Sequence, residues 1–178
     1  MLKLTVKTDI DINKSKKKMR RDLNVAELER LGRGAVYVGW PESAIHNDDG
    51  KAISIAKYAR YANYGSVSNN QEPRPFFTEG FYFDKYVERR ADLSKQLMKQ
   101  VAKKQINAKK ALELMGIEAV NNVRDAIQTG PWAPNKPSTL ARKLAKTKGK
   151  RSKRSPNPLI DTGDMIGSVT YIVAEDEK

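Results

Sequence analysis

Two long segments of helical periodicity stand in tandem in the middle of this chain, and a proline-rich run ends them. From about Phe77 to Lys104, Tyr86, Leu93, Leu97 and Val101 recur at the spacing of one helix face. From about Ala108 to Thr129, Leu112, Gly116, Ala119, Val120, Val123 and Ile127 do the same, and Gly116 would let a neighbouring backbone approach closely. Gly130-Pro131-Trp132-Ala133-Pro134-Asn135-Lys136-Pro137 then stops helix growth, because proline lacks the N–H and clashes with the preceding turn. The apolar stripes need a layer to cover them. The strand candidates are short: residues 2–7, which alternate apolar and polar; residues 35–40, β-branched and aromatic and closed by Pro41; and residues 168–173. The expected fold is α+β, a small antiparallel β-sheet packed by two long α-helices, with extended loops and arms. The end strands, 2–7 and 168–173, are expected to pair. A sheet this small leaves edges, which invite pairing between subunits.

Shorter elements fill the rest. A helix is expected from about Lys14 to Leu31, capped by Asp11 or Asn13 and ended by Gly32 and Gly34. Asn47-Asp48-Asp49-Gly50 is a turn signal. Lys51 to Tyr64 reads as a helix, with Ile55, Ala59 and Ala62 on one face, Tyr58, Tyr61 and Tyr64 three apart, and Gly65 at its end. Ser138 caps a short helix over 139–145, and Thr162 caps one helical turn through Met165 and Ile166. A length of 178 residues suits a single domain. Residues 1–31 form its first strand and helix, able to act as an arm, and residues 146–157 form a basic flexible loop.

Composition narrows the chemistry. The chain has no Cys, which excludes a disulfide scaffold, a thiolate zinc site and a Cys nucleophile. It has one His, His46, which leaves no room for a His-based metal cage. The sharp reading of His46 with Asp48 and Asp49 is a metal or general-base site, and the bland one a polar turn; no partner stands at a recognisable spacing. Asp161-Thr162-Gly163-Asp164 lacks the glycine-rich cradle and Lys of a phosphate loop, and helix capping explains it better. The chain therefore reads as a non-enzyme with no catalytic, metal or cofactor residues. Arg74, between Pro73 and Pro75, reads equally as an anion contact or as a structural bond to a helix C-terminus. Trp132 reads as a binding aromatic or as a plug under its loop. No run reaches the about 18–20 apolar residues of a membrane span. The first seven residues carry no signal-peptide core, so a soluble protein assembled in a cytoplasm, with no membrane partner, is expected. A net charge of +13, from 34 Lys and Arg against 21 Asp and Glu, asks for an anionic partner. Its densest cluster, Lys146, Lys148, Lys150, Arg151, Lys153 and Arg154, holds no acid, and suits an acidic protein neighbour or nucleic acid.

Four segments stand in order: Tyr61-Ala62-Asn63-Tyr64-Gly65-Ser66, Pro73-Arg74-Pro75-Phe76-Phe77, Trp132 to Lys143 with Pro134 within it, and Pro158-Leu159-Ile160-Asp161-Thr162-Gly163-Asp164-Met165-Ile166-Gly167-Ser168-Val169. This order resembles the tail-completion, or head–tail joining and minor tail, family of tailed-bacteriophage neck proteins. Those proteins show an Asn-aromatic-Gly turn, an Arg-Pro-Phe segment opening a long helix, and a Pro-Leu-x-Asp-Thr-Gly signature before a strand. The resemblance covers about residues 35–173. Here Tyr64 stands where family members often carry Glu, Met165 where Leu is usual, and the basic segment lengthens the third connection. The resemblance implies a virion structural protein of the neck, made in the host cytoplasm. It would form a homo-oligomeric ring of six or twelve copies between the portal-side connector or stopper and the tail terminator or tail tube, in possible contact with packaged DNA. In that frame Asn63, Gly65, Arg74, Pro75, Phe76, Trp132, Pro134, Pro158, Leu159, Asp161, Thr162 and Gly163 are structural motif residues. The basic residues of 146–154 are the interface to an acidic partner or DNA. The competing reading is a basic nucleic-acid-binding protein of phage or prophage origin.

Overall fold

The computed structural model describes residues 2–5, 23–48, 51–68, 70–145 and 155–174. Its elements, in chain order, are β1 (Leu2–Thr5), α1 (Val25–Arg33), β2 (Ala35–Gly39), β3 (Ile45–Asp48), β4 (Lys51–Ser54), α2 (Ile55–Tyr64), a 3₁₀ turn (Gly80–Tyr82), α3 (Asp84–Ala102), α4 (Ala108–Thr129), α5 (Pro137–Ala145), α6 (Asp164–Gly167) and β5 (Thr170–Ala174). The class is α+β, as the patterning predicts. The described strands form two sheets rather than one, a three-stranded sheet in the order β1-β2-β5 and the hairpin β3–β4. The residues group into two compact units. The first takes those up to Val38, Asp84–Val120 and those from Tyr171; the second takes Gly39–Phe83 and Asn121–Thr170.

In the first unit β1 runs antiparallel to β2, with Leu2 opposite Val38 and Thr5 opposite Ala35. The end strands do not pair with each other, because β2 lies between them. The reason is visible in β2 itself: Ala35, Val36 and Val38 are all buried and Tyr37 is partly so, so the strand is apolar enough to be covered on both faces. α1 begins at Val25 and passes through Gly32 to end at Gly34, whose N–H donates to Arg30 O. Leu23 and Asn24 are not helical, which corrects the longer expected helix; its residues 14–22 lie outside the described ones. Glu27 of α1 reaches the start of α4, where its Oε2 accepts the Ala108 N–H at 2.7 Å and its Oε1 accepts Arg30 Nη1 at 2.9 Å. These bonds, the backbone one first, hold its carboxyl below the usual carboxylate range. Asn107 Oδ1 accepts the Lys110 N–H at 2.8 Å, so two acceptors serve the orphan donors of the α4 N-terminus.

Gly116 is needed for a close approach, though to a ring and not to a backbone. A Cβ built there would stand 2.3 Å from Tyr171 Cδ2 and 2.6 Å from Tyr171 Cγ. Gly116→Ala gains about 1 kcal/mol of helix propensity but must displace that ring, an overpacking cost of about 1–3 kcal/mol. We expect a net loss of about 1 kcal/mol, read as a lower urea midpoint at unchanged slope; a raised midpoint would show that Tyr171 moves freely.

In the second unit β3 and β4 pair antiparallel, Ile45 opposite Ser54 and Asp48 opposite Lys51. Residues 51–54 are therefore strand, and the expected helix starts only at Ile55. The expected long helix likewise starts at Asp84 rather than Phe77, after an isolated turn over 76–79 and the 3₁₀ turn. α5 begins on Pro137, ahead of the expected Ser138 cap, since proline's fixed φ suits the first helical position. Trp40, Phe76, Phe81, Ile127, Leu159 and Met165 are buried in this unit. Among the described residues no helix is long and apolar enough to cross a membrane.

Candidate functional site

The four motif segments all fall in the second unit, and their side chains tie it together. Asn63, in the last turn of α2, is buried at 3 % exposure. Its Oδ1 accepts the N–H groups of Phe77 (2.9 Å) and Thr78 (3.3 Å), and its Nδ2 donates to Thr78 Oγ1 at 3.1 Å. Pro75 O accepts the N–H groups of Glu79 and Gly80, closing the turn. Phe77 and Thr78 open the turn that follows Pro75, where N–H groups have no acceptor within the turn, so Asn63 caps that turn from α2. Gly65 has φ +78°, and a Cβ on it would meet Gln71 O at 2.8 Å, so both conformation and space require glycine. It lets the segment after α2 fold back, with Ser66 and Gln71 exchanging backbone bonds.

Arg74 is buried. Its N–H donates to Ala62 O, its Nε to Ala133 O at 2.8 Å and its Nη2 to Pro134 O at 3.3 Å. Burial lowers its pKa, against the opposing pull of Tyr58 and Glu72. The side-chain partners are loop carbonyls, while the main-chain N–H bonds Ala62 O in the last turn of α2, and both favour structure over anion contact. Trp132 Nε1 donates to Ala126 O at 2.7 Å, and its ring stacks on Phe83 at 5.8 Å and 15°. This is the plug reading. Phe76 is fully buried, with its ring edge-on to Trp40 at 6.0 Å. Trp40 Nε1 in turn donates to Met165 O at 2.7 Å, joining the second segment to the fourth.

The fourth segment is held at several points. Leu159 is buried and its N–H donates to Asn157 Oδ1 at 2.9 Å, an Asx turn that encloses Pro158. Lys143 of α5 is buried and its Nζ donates to the carbonyls of Ser155 (3.3 Å), Asn157 (2.9 Å) and Ile160 (2.7 Å). Arg124 of α4 donates to Ile166 O at 3.2 Å and Val169 O at 3.4 Å. Gly163, at φ +91°, occupies the cap position itself, and Thr162 Oγ1 accepts the Asp164 N–H at 3.4 Å from one residue earlier. Asp161, just before it, is partly buried. Lys146, Lys148, Lys150, Arg151, Lys153 and Arg154 lie outside the described residues.

Patterning missed Trp40, Arg124, Lys143 and Asn157 as holding residues. Asn157-x-Leu159 carried a readable signal, an Asx turn. Lys143 and Arg124 carried none, since a cation on an amphipathic helix reads as solvated. His46 Nδ1 lies 2.6 Å from Asp164 Oδ2, linking β3 to α6. This pairs His46 with a carboxylate more than a hundred residues away in the chain. Among the described residues no group of three or more His, Asp or Glu could hold a metal ion.

The hydrogen bond to His46 is the main reason that the Asp164 carboxyl is held below its ordinary value. A depressed folded-state pKa contributes stability that is complete above the unfolded pKa and is lost as pH falls through the folded one. Asp164 and Glu27 should therefore each add to acid sensitivity from about pH 4 downward. Denaturant titrations at stepped pH should show a flatter acid limb for Asp164→Asn and Glu27→Gln than for the parent chain; parallel limbs would contradict it. No family model matches this chain, and no curated protein or solved structure does either.

Proposed function

We propose that this chain is a virion structural protein of the head–tail interface of a tailed bacteriophage: a neck or tail-completion subunit that joins the portal-side connector to the tail as a homo-oligomeric ring. The observation that carries this reading is what the motif side chains do. Asn63, Arg74 and Trp132 direct their polar atoms mainly at main-chain groups of other motif segments or of α4. Side chains spent in this way hold a shape, as a ring subunit gripping its neighbours requires, rather than presenting a reactive group. The sheet edges at β1 and β5 suit strand pairing between copies. A ring that closes needs two different complementary patches on each subunit. The basic excess and the acidic Glu175-Asp176-Glu177 supply opposite charge for them.

The test is the composition of purified virions together with light scattering of the purified chain. The reading expects the protein in joined particles at ring multiplicity, and a six- or twelve-fold mass in solution or on a connector. Its absence from intact virions would overturn the reading.

A further inference from the structure

We propose that the outward face of α2 binds single-stranded DNA, with Tyr61 and Tyr64 as base-stacking platforms and Lys57 and Arg60 as phosphate contacts. These residues stand at i, i+3, i+4 and i+7 of one helix and so share a face. Together with Ala56 and Gly65 they line one open groove. The opposite face of α2, carrying Ile55, Ala59, Ala62 and Asn63, is buried. Tyr61 is 40 % exposed and Tyr64 66 %, so two rings stand in solvent next to two cations. Lys57 Nζ lies 6.0 Å from the Tyr61 ring centre. Gly65 lines the groove beside Tyr64.

Charge selects the occupant. From Lys51 to Gln71 the sequence holds Lys51, Lys57 and Arg60 and no Asp or Glu, in a chain of net charge +13. A polyanion gains from that field at every approach. The tyrosines then choose among polyanions. An acidic peptide uses the cations and leaves both phenol rings in water. A duplex keeps its bases stacked on each other. An unpaired strand offers both a backbone for the cations and base faces for the rings. This surface does not rest on the head–tail reading, and its failure leaves that reading as it stands.

The experiment is fluorescence anisotropy of labelled oligo(dT), about 20 nucleotides long, with the full chain across a salt series. Tyr61→Ala with Tyr64→Ala should weaken binding by about 10-fold or more, whereas Tyr61→Phe with Tyr64→Phe should stay within about 2-fold, because stacking needs the ring and not the hydroxyl. Lys57→Gln with Arg60→Gln should lower the slope of log K against log salt by about 1.4. If the double Ala variant fails a thermal-melt check of folding, Tyr64→Ala alone serves, with the same direction expected. Four results would overturn the proposal: no binding at about 50 mM salt; Ala variants that bind like the parent; a duplex that binds equally well with the same tyrosine dependence; or polyglutamate that competes as strongly as oligo(dT).

Discussion

Trp40→Ala is expected to lower the unfolding free energy by about 4 kcal/mol. Trp40 is only 8 % exposed, and it follows β2 directly where the chain enters the second unit. Its ring meets Phe76 edge-on at 6.0 Å and Phe77 at 5.2 Å, and its N–H donates to Met165 O at 2.7 Å. Truncation removes the largest side chain of this cluster within the second unit and leaves a cavity that Phe76 cannot fill without leaving its own buried site. It also strands the Met165 carbonyl. Trp40→Phe separates these effects, since it keeps most of the packing and loses the hydrogen bond, at about 1–2 kcal/mol. Guanidinium unfolding followed by circular dichroism measures both. A Trp40→Ala cost under about 1 kcal/mol would show that the segments on either side of Trp40 hold without it.

Arg74→Met should cost about 3 kcal/mol, and Arg74→Lys should recover less than half of that. The guanidinium reaches the carbonyls of Ala133 and Pro134 from two different nitrogens. A lysine has one nitrogen and no planar fork, so it serves one carbonyl at a time. Methionine fills similar space and leaves both carbonyls, in a partly buried loop, without a charged donor. The loss is local in its first consequence. Hydrogen exchange should rise in the stretch around residues 131–137 before the global midpoint is reached. Uniform exchange with an unchanged midpoint would contradict the role given to Arg74. In the proposed function the same variant should reduce the yield of joined particles, because the third motif segment would no longer be fixed against the second.

What the sequence discloses depends on how local the cause is. Helix α4 was legible at both ends, Ala108 and Thr129, because its stripe and the following Gly130-Pro131 act within the segment itself. Gly65 was legible as a helix end for the same reason. The β3–β4 hairpin was missed although Asp49-Gly50 is a strong two-residue hairpin signal, because the periodicity of α2 runs on upstream through Lys51-Ala52-Ile53-Ser54 and masks the strand. The start of α3 was misplaced because a turn does begin at Phe76, its donors at Phe77 and Thr78 held by Asn63 of the remote α2, but it passes into the 3₁₀ turn and the helix starts only at Asp84. The order β1-β2-β5 has the same character, being set by which strand is apolar on both faces. Of the motif residues, Asn63, Arg74 and Trp132 were legible as positions, but their partners at Thr78, Ala133 and Ala126 were not. Only the folded chain brings those partners together.

The head–tail assignment is the central claim, and electron microscopy of lysates from a phage or prophage lacking this gene tests it most directly. The account predicts DNA-filled heads and finished tails lying apart, with joined particles restored when the intact chain is supplied in trans. Joined, normal virions from the deletion would contradict it.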